Sequence, residues 1–408
     1  MAKLLFLVHR LPYPPNKGDK VRSYHLLKHL AARHEVYLGS FIDDAEDEQY
    51  LDKLRPLCAD LHVSRLHPGS AKLASLRGLL TGEALSLPYY RDAALARWVE
   101  ATAARQALDA VIVFSSTMAQ YAEALPGLPM LVDFVDVDSA KWADYAQAHA
   151  WPLSWLYRRE GRRLLDFEAR TAERAACSFF VTDKETALFR RLAPACKGRV
   201  EALCNGVDAG FFAPDARHAS PFAEGEQTLV FTGAMDYWPN VDAVAWFVAE
   251  VLPQLRQRRP RLHFYIVGRS PTPAVQALTG PGVTVTGTVA DVRPYLQHAA
   301  AVVAPLRLAR GVQNKVLEAM AMARPVVAAR SCAEAIEVQV GEELLVAEGP
   351  QDYLEAIDRL LAQPQAAERI GQAGRARVLQ SYSWSAHLAG LDRHLAAAAR
   401  PAPAMEAA

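Results

Sequence analysis

Cysteine, net charge and long hydrophobic runs are what this 408-residue sequence lacks or has little of. Its five cysteines are scattered, with no C-x-x-C pair, which argues against a disulfide framework or a zinc site and favours a reducing compartment. Basic and acidic residues both number 45, so no overall field would attract nucleic acid. No stretch reaches the roughly 18 to 20 apolar residues of a membrane span. We therefore expect a cytoplasmic protein without a nucleic-acid partner.

Short apolar runs, typical of buried parallel strands, are frequent in the sequence, of which 51 % is hydrophobic. Many of these runs are followed by apolar residues at helical spacing, which is the order expected of βαβ units. The runs fall into two series, and the length of the chain also favours two domains. The sequence predicts an α/β protein of two doubly wound Rossmann-like domains that face a cleft.

The first apolar run, at 4–8, is too short for a signal peptide and suits a first buried strand. A polar stretch with Pro, Ser and Gly follows the first series of runs and is interpreted as a linker. We predict an N-terminal domain over 1–208 and a C-terminal domain over 209–380. The remainder, 381–408, is predicted to be a helix, a candidate to pack back on the first domain, and a frayed tail.

Three basic residues surround the start of a helix that follows the apolar run at 301–304. Arg307 and Arg310 lie in the preceding loop, and Lys315 lies in the first turn. A helix N-terminus already carries positive partial charge, so three cations there make sense if an anion binds. Glu318 lies one turn further and would accept hydrogen bonds from a ribose diol. The pattern predicts a nucleotide-diphosphate site, with solvated surface charges as the alternative.

Two other groups of polar residues follow predicted strands. Gly18, Asp19 and Lys20 end a proline-rich loop after the first strand, where ligands bind in parallel sheets. A connecting loop without a binding role would have the same sequence pattern. Asp136 and Asp138 follow a later strand, and two carboxylates at this spacing can share a divalent cation. The same spacing also arises by coincidence in a turn.

The segment 151–165 is rich in Trp, Tyr and Arg. Aromatic rings beside cations suit a membrane interface, where the rings lie at headgroup depth and the cations meet anionic lipid. The alternative is an amphipathic helix that packs on the sheet and exposes its arginines. The segment therefore raises the hypothesis of a peripheral contact with the inner membrane.

Several motifs resemble those of the family-four retaining glycosyltransferases, which have the two-Rossmann architecture called GT-B. The N-terminal run 9–20 is similar to the sugar transferases associated with exosortase (PEP-CTERM) exopolysaccharide systems. The motifs that carry the wider resemblance are Asn205-Gly206-Val207-Asp208, Phe231-Thr232-Gly233, Ile266-Val267-Gly268, Gly287-Thr288-Val289, Lys315-Val316-Leu317-Glu318-Ala319-Met320-Ala321 and Pro325-Val326-Val327.

The resemblance implies a UDP-, GDP- or ADP-sugar donor held by the C-terminal domain, a glycan or lipid-linked sugar acceptor held by the N-terminal domain, and neither a metal nor another cofactor. It places the ribose on Glu318, while Arg310 occupies the position of a second family glutamate. A histidine that the family often has near the acceptor is replaced by Ser115-Ser116. The expected catalytic residues are Arg307, Arg310 and Lys315; the expected donor-binding residues are Gly233, Gly268, Val289, Gly311, Val312 and Glu318; Gly18, Asp19 and Lys20 are expected on the acceptor side.

The predicted activity is transfer of a sugar from a nucleoside diphosphate to a hydroxyl in exopolysaccharide or glycan assembly, with retention of configuration implied by the resemblance. Two rivals stay open. One is a catalytically inactive scaffold that binds sugar nucleotides, which the loss of the family glutamate and histidine motivates. The other is a metal-dependent transferase that uses Asp136 and Asp138. A sugar-nucleotide epimerase is a weaker third.

Overall fold

The computed structural model describes residues 1–15, 18–307 and 312–398. The chain divides into two compact units. The first contains residues 1–205 and the segment from His387 onward, and the second contains residues 206–386. None of the described helices combines the length and the apolar character that crossing a bilayer requires.

The first unit has a parallel sheet in which seven strands are described, in the order β3-β2-β1-β4-β5-β6-β7. The order reverses direction at β1, as in a doubly wound fold, and the register of each pair is parallel. The strands are β1 (Lys3–Val8), β2 (Glu35–Ile42), β3 (Asp60–Arg65), β4 (Ala110–Phe114), β5 (Met130–Val135), β6 (Cys177–Phe180) and β7 (Val200–Ala202).

Helices connect these strands on both faces of the sheet, which is why residues 4–8 and 110–114 are apolar and buried without alternation. The α-helices are α1 (Gly18–Ala31), α2 (Leu51–Leu54), α3 (Pro68–Ser75), α4 (Arg77–Thr81), α5 (Ser86–Tyr89), α6 (Ala93–Arg105), α7 (Asp138–Ala148), α8 (Leu153–Arg174) and α9 (Asp183–Leu192). Short 3₁₀-helices are Ala45–Tyr50, Arg55–Leu57 and Ser116–Tyr121.

The second unit repeats the plan with a parallel sheet in the order β10-β9-β8-β11-β12-β13. Its strands are β8 (Gln227–Thr232), β9 (Leu262–Val267), β10 (Val283–Gly287), β11 (Ala301–Ala304), β12 (Val326–Ala329) and β13 (Leu345–Ala347). Its α-helices are α10 (Trp238–Trp246), α11 (Leu252–Arg258), α12 (Pro273–Gln276), α13 (Arg293–His298), α14 (Asn314–Ala321), α15 (Arg330–Ala333), α16 (Pro350–Ala362) and α17 (Pro364–Arg377), with π-helical turns at Phe247–Val251 and Val378–Tyr382.

The last helix, α18 (Trp384–Ala398), begins in the second unit and continues into the first. Within the first unit, His29 of α1 lies 2.8 Å from Asp392, measured from Nε2 to Oδ1. His394 Nε2 lies 2.9 Å from an oxygen of Glu201 on β7. These two contacts hold α18 against the helix and strand that they join.

A buried ion pair crosses the first unit between α1 and β5. The guanidinium of Arg22 donates from Nε and Nη2 to the two oxygens of Asp133, at 2.7 and 3.0 Å, and both side chains are buried. Its third nitrogen donates to Asn205 Oδ1 at 2.9 Å. Asp133, the one charged residue in an otherwise apolar strand, therefore has its own cation inside the core.

Candidate functional site

A pocket of about 570 Å³ opens in the second unit, where β8 and β9 end and α14 begins. Ligands of doubly wound sheets bind at this edge, outside the carboxyl ends of the strands. The lining residues are Thr232, Gly233, Ala234, Tyr237, Asn240, Val267, Gly268, Arg269, Thr288, Val289, Val292, Val312, Gln313, Asn314, Lys315 and Glu318.

Two glycines let the backbone of β8 and β9 come close together at the floor of the pocket. Gly233 and Gly268 have φ angles of 157° and 156°, which residues with a Cβ rarely adopt. A Cβ on Gly268 would lie 1.7 Å from the carbonyl oxygen of Gly233. A Cβ on Gly233 would lie 3.0 Å from Lys315 Nζ. Both positions therefore require glycine, and both keep space beside the lysine.

Lys315 is a partly buried cation of the pocket. Its ammonium donates a hydrogen bond to Asn240 Oδ1 and lies 4.2 Å from the centroid of the Phe231 ring. Asn240 is fixed in turn, because its Nδ2 donates to the carbonyl of Ala234 at 2.8 Å. Burial lowers the pKa of Lys315 to about 8. The ammonium is thus oriented by neutral partners, and no carboxylate of the described residues lies within ion-pair distance of it.

Glu318 lies on the same helix, three residues after Lys315, and lines the same pocket. Burial raises its pKa to about 7, although the charge of Lys315 acts in the opposite direction. Among the described residues, Lys315 is the one whose charge acts on the Glu318 carboxyl group. Two ionisable groups held one turn apart in a pocket, both with perturbed pKa values, are typical of a functional site.

The structure thus brings together six of the predicted site residues around this pocket: Gly233, Gly268, Val289, Val312, Lys315 and Glu318. Arg310 and Gly311, also predicted, lie outside the described residues. Arg307 is a correction to the expectation. Its guanidinium donates to both oxygens of Asp242, it is half exposed, and it is absent from the described lining of the pocket. Asp242 therefore already balances the charge that Arg307 was expected to offer to a ligand.

Arg269 is a pocket cation that sequence reasoning missed. It directly follows Gly268, is exposed, and forms no ion pair with any carboxylate of the described residues. The available signal was a basic residue immediately after a strand-ending glycine. The sequence does not show that β9 ends beside α14, so this signal could not place Arg269 in the pocket. Arg269 and Lys315 are the two basic residues among the described residues that line the pocket.

The predicted acceptor-side residues have local partners in the first unit. Lys20 is buried and donates to Asp47 at 2.5 Å, so its charge is neutralised inside the fold, and it does not face a site mouth as expected. Asp19 accepts from Arg10 at 2.7 Å and lies 3.5 Å from His9 Nε2. Burial alone would raise the pKa of Asp19, but these two partners lower it well below its usual value. Gly18 begins α1 and has open space around it.

A histidine does lie beside the position where the resemblance led us to expect one. The ring of His9, directly after β1, stacks on Phe114 with centroids 5.8 Å apart and planes within 7°. Phe114 ends the neighbouring strand β4 and directly precedes Ser115. His9 follows β1, whereas Ser115-Ser116, at the position where the resemblance places a histidine, follows β4.

The two carboxylates considered for a metal share a cation of the protein instead. Lys141 Nζ donates to Asp136 at 2.8 Å and to Asp138 at 3.0 Å. All three side chains are partly exposed. A divalent cation at this position would have to replace the lysine ammonium, so the arrangement does not favour the metal-dependent alternative.

Residues 226–363 match a family model described as glycosyl transferases group 1, which covers 138 of the 408 residues. Every described lining residue of the pocket falls within the matched segment. No curated protein matches the sequence of the chain.

Solved structures resemble the chain over nearly its whole length. A sucrose-phosphate synthase from Thermosynechococcus elongatus shares 20 % identity at a TM-score of 0.61 and covers 98 % of this chain and 100 % of its own. HepE of Anabaena in complex with UDP shares 15 % identity at a TM-score of 0.61, with 97 and 100 % covered. WaaG, a glycosyltransferase involved in lipopolysaccharide biosynthesis, shares 18 % at 0.56, with 96 and 99 % covered. At these identities the likeness confirms the predicted fold class of two Rossmann-like domains.

Proposed function

We propose that this protein is a glycosyltransferase that moves a sugar from a nucleoside diphosphate to an acceptor hydroxyl, and that the pocket at the start of α14 binds the donor. The observation that carries the proposal is the pair of partly buried ionisable groups, Lys315 and Glu318, one turn apart in that pocket. Support comes from the group 1 match over the same residues and from the fold shared with HepE, whose structures contain UDP and UDP-glucose.

The chemistry of the pocket suits a nucleoside diphosphate. The N–H groups that open a helix have no acceptor one turn earlier in it, and α14 begins at Asn314, in the lining of the pocket. These groups and Lys315 would bind the diphosphate, with Arg269 as a second cation. The ionised carboxylate of Glu318 would accept hydrogen bonds from the ribose diol. Gly233 and Gly268 would let the phosphates approach the backbone.

In the proposed reaction, the acceptor oxygen bonds to the anomeric carbon as the bond from that carbon to the diphosphate oxygen breaks. The diphosphate leaves with the electron pair, and the hydroxyl proton passes to a phosphate oxygen or to solvent. Negative charge grows on the diphosphate during this step, and Lys315 is fixed in position to stabilise it. Because protein cations supply this charge, no metal is required in the proposal.

The finer assignments are also proposals. Retention of configuration and a role in exopolysaccharide assembly rest on the resemblance of the motifs, and the involvement of WaaG in lipopolysaccharide biosynthesis supports an acceptor of glycan or lipid-linked type. We propose a cytoplasmic location with peripheral membrane contact. A second candidate function is a donor-binding protein without transferase activity, which the presence of Arg310 in place of a family glutamate favours; a transfer assay separates the two.

Donor binding is tested by thermal shift with UDP-, GDP- and ADP-glucose on the intact chain. One of the three should stabilise the wild-type protein, by about 2.7 kcal/mol at a concentration 100 times Kd. Glu318→Gln and Lys315→Met should each lose most of this stabilisation, since each removes a charged contact. The matched control Lys184→Met changes an exposed lysine of the first unit and should keep it. Equal ligand shifts in all four proteins would place the donor site elsewhere.

Donor affinity should have a maximum between pH 7 and 8. Glu318 accepts ribose hydroxyls as a carboxylate, so affinity should fall below its pKa of about 7, where the free protein holds the proton. Lys315 binds phosphate as an ammonium, so affinity should also fall above its pKa of about 8. Each limb should approach a tenfold loss per pH unit. Calorimetric titration with the stabilising nucleotide sugar from pH 5.5 to 9.5 measures this.

The two variants assign the limbs of that profile. Glu318→Gln should flatten the acid limb and keep the alkaline one, and Lys315→Met should do the reverse. A profile that is flat in the wild-type protein, or that is unchanged by both substitutions, would contradict the assignment of these groups to donor binding.

A further inference from the structure

Two exposed apolar segments lie in the first unit. The leucine segment consists of α3 and α4, where Leu73 is 72 % and Leu80 is 92 % exposed and Leu76 and Leu79 are also exposed. The tryptophan segment, residues 151–155, precedes and begins α8, and there Trp151 is 80 % exposed, with Leu153 and Trp155 about half exposed. Single exposed apolar residues are ordinary on protein surfaces, but clusters of this kind mark interaction sites.

Hydrogen bonds attach α8, which begins in the tryptophan segment, to the leucine segment and to the residues that follow it. Arg159 of α8 donates to the carbonyls of Gly78 and Glu83, at 2.5 and 3.0 Å. The buried carboxylate of Glu160 accepts from the backbone N–H groups of Leu85 and Ser86, at 2.5 and 2.9 Å, and from the Ser86 hydroxyl. The leucine segment is therefore attached to α8 and cannot move away from it without breaking several hydrogen bonds.

A largely apolar cavity of about 430 Å³ lies between α3 and α8 in the same surface. Residues from both elements line it, including Lys72 and Ser75 of α3 and Leu156 and Tyr157 of α8. Tyr89, Tyr90 and Trp142 complete an aromatic wall. The rings present an apolar body with a polar tip, which is the chemistry enriched at the boundary between hydrocarbon and water.

The leucine segment and the first part of α8 carry an excess of positive charge. Residues 68–81 contain Lys72 and Arg77 and no acidic residue, and residues 151–165 contain four arginines and the single acid Glu160. Glu160 is buried with its oxygens hydrogen-bonded, so the charge that these segments expose is positive. The whole chain is electrically neutral, so the positive charge here is a local feature.

We propose that the leucine and tryptophan segments together bind the surface of an anionic lipid bilayer, an inference that rests on the peripheral membrane contact of the proposed function and is tested independently of donor binding. The exposed leucines and tryptophans would enter the interface, and the basic side chains beside them would contact the headgroups. Stable peripheral binding generally needs two such signals, an apolar one and a basic one. The alternation of Leu73, Leu76 and Leu80 with Lys72 and Arg77 along α3 and α4 supplies both signals on one short stretch.

Vesicle sedimentation tests the proposal. The full chain should pellet with vesicles of phosphatidylcholine containing about one-third phosphatidylglycerol, at least tenfold more than with phosphatidylcholine alone. Binding should weaken as salt rises. Leu76→Ser with Leu80→Ser, and separately Trp151→Ser with Trp155→Ser, should each reduce the partition coefficient about tenfold or more. Lys72→Glu with Arg77→Glu should remove the preference for anionic vesicles.

The matched control is Val340→Ser with Leu379→Ser, two exposed apolar residues of the second unit, which should leave partitioning unchanged. All substituted side chains are exposed. Thermal shift without lipid, with the nucleotide sugar that stabilises the wild-type protein, checks that each variant is folded. Equal binding to both vesicle types, or wild-type binding by the leucine and tryptophan variants, would overturn the proposal. So would a wild-type dimer in sedimentation velocity that Leu80→Ser dissociates without any vesicle binding, since the occupant would then be a second copy of the chain.

Discussion

Replacing Lys315 by methionine is expected to lower kcat/KM for sugar transfer by about 10² to 10³, the usual cost of removing one preorganised electrostatic donor. The ammonium is partly buried, oriented by Asn240 and placed over the Phe231 ring, so it needs no rearrangement when charge develops on the leaving diphosphate. Methionine keeps an apolar stem of similar length. Because burial disfavours the charged lysine, the apo variant should be at least as stable as the wild-type protein.

The measurement is the release of nucleoside diphosphate under kcat and kcat/KM conditions, with an added acceptor or with water as a slow acceptor. Loss in kcat as well as in kcat/KM would indicate an interaction that strengthens in the transition state. Arg269→Met should cost less, because Arg269 is exposed to solvent that screens its charge. Lys184→Met is the control for general effects of removing a lysine. A Lys315→Met enzyme that turns over at the wild-type rate would contradict the assigned role.

The parts of the structure that the sequence predicted well are those encoded locally. Strand β1 is buried along residues 4–8, and its continuous apolar run directly reports a strand covered on both faces. Lys315 and Glu318 were identified as a pair because they are one turn apart in one helix, so that their spacing alone places them on one face. Their shared pocket follows from that spacing and from the position of α14 at the carboxyl edge of the sheet.

The parts that the sequence did not predict depend on residues far apart in the chain. Arg307 is neutralised by Asp242, and Lys20 by Asp47, and neither carboxylate has a sequence signal that identifies its partner. The arrangement of strands likewise decides that Arg269 faces the pocket and that His9 stacks on Phe114. The sequence therefore identifies the basic residues, but only the three-dimensional structure shows which groups they contact.

Asp133 is another charged residue whose partner lies far away in the sequence, and its ion pair with Arg22 gives the second prediction of a large effect. Its charge appears in the sequence as an interruption of an apolar strand, and Arg22 of α1 compensates it through two hydrogen bonds. Arg22→Met should destabilise the first unit by about 3 to 5 kcal/mol, because it leaves a carboxylate buried without its compensating cation. Hydrogen exchange of the β4 and β5 amides reports this unit separately from the other, which matters because two units need not unfold together.

The charge left behind should dominate this cost, and its pH dependence and a double variant test that. Burial already raises the pKa of Asp133, and without Arg22 that pKa should rise further. An acid whose folded pKa lies above its unfolded value loses stability as pH rises between the two, so the defect of Arg22→Met should shrink toward pH 4. Arg22→Met with Asp133→Asn keeps an acceptor for the Val135 N–H, which lies 3.2 Å from Asp133, and removes the charge. The double variant should recover at least half of the lost stability at pH 8. If the double variant were as unstable as Arg22→Met at every pH, the stability would be lost through poorer packing around the missing guanidinium. The ion pair would then not be needed to hold Asp133 in the core.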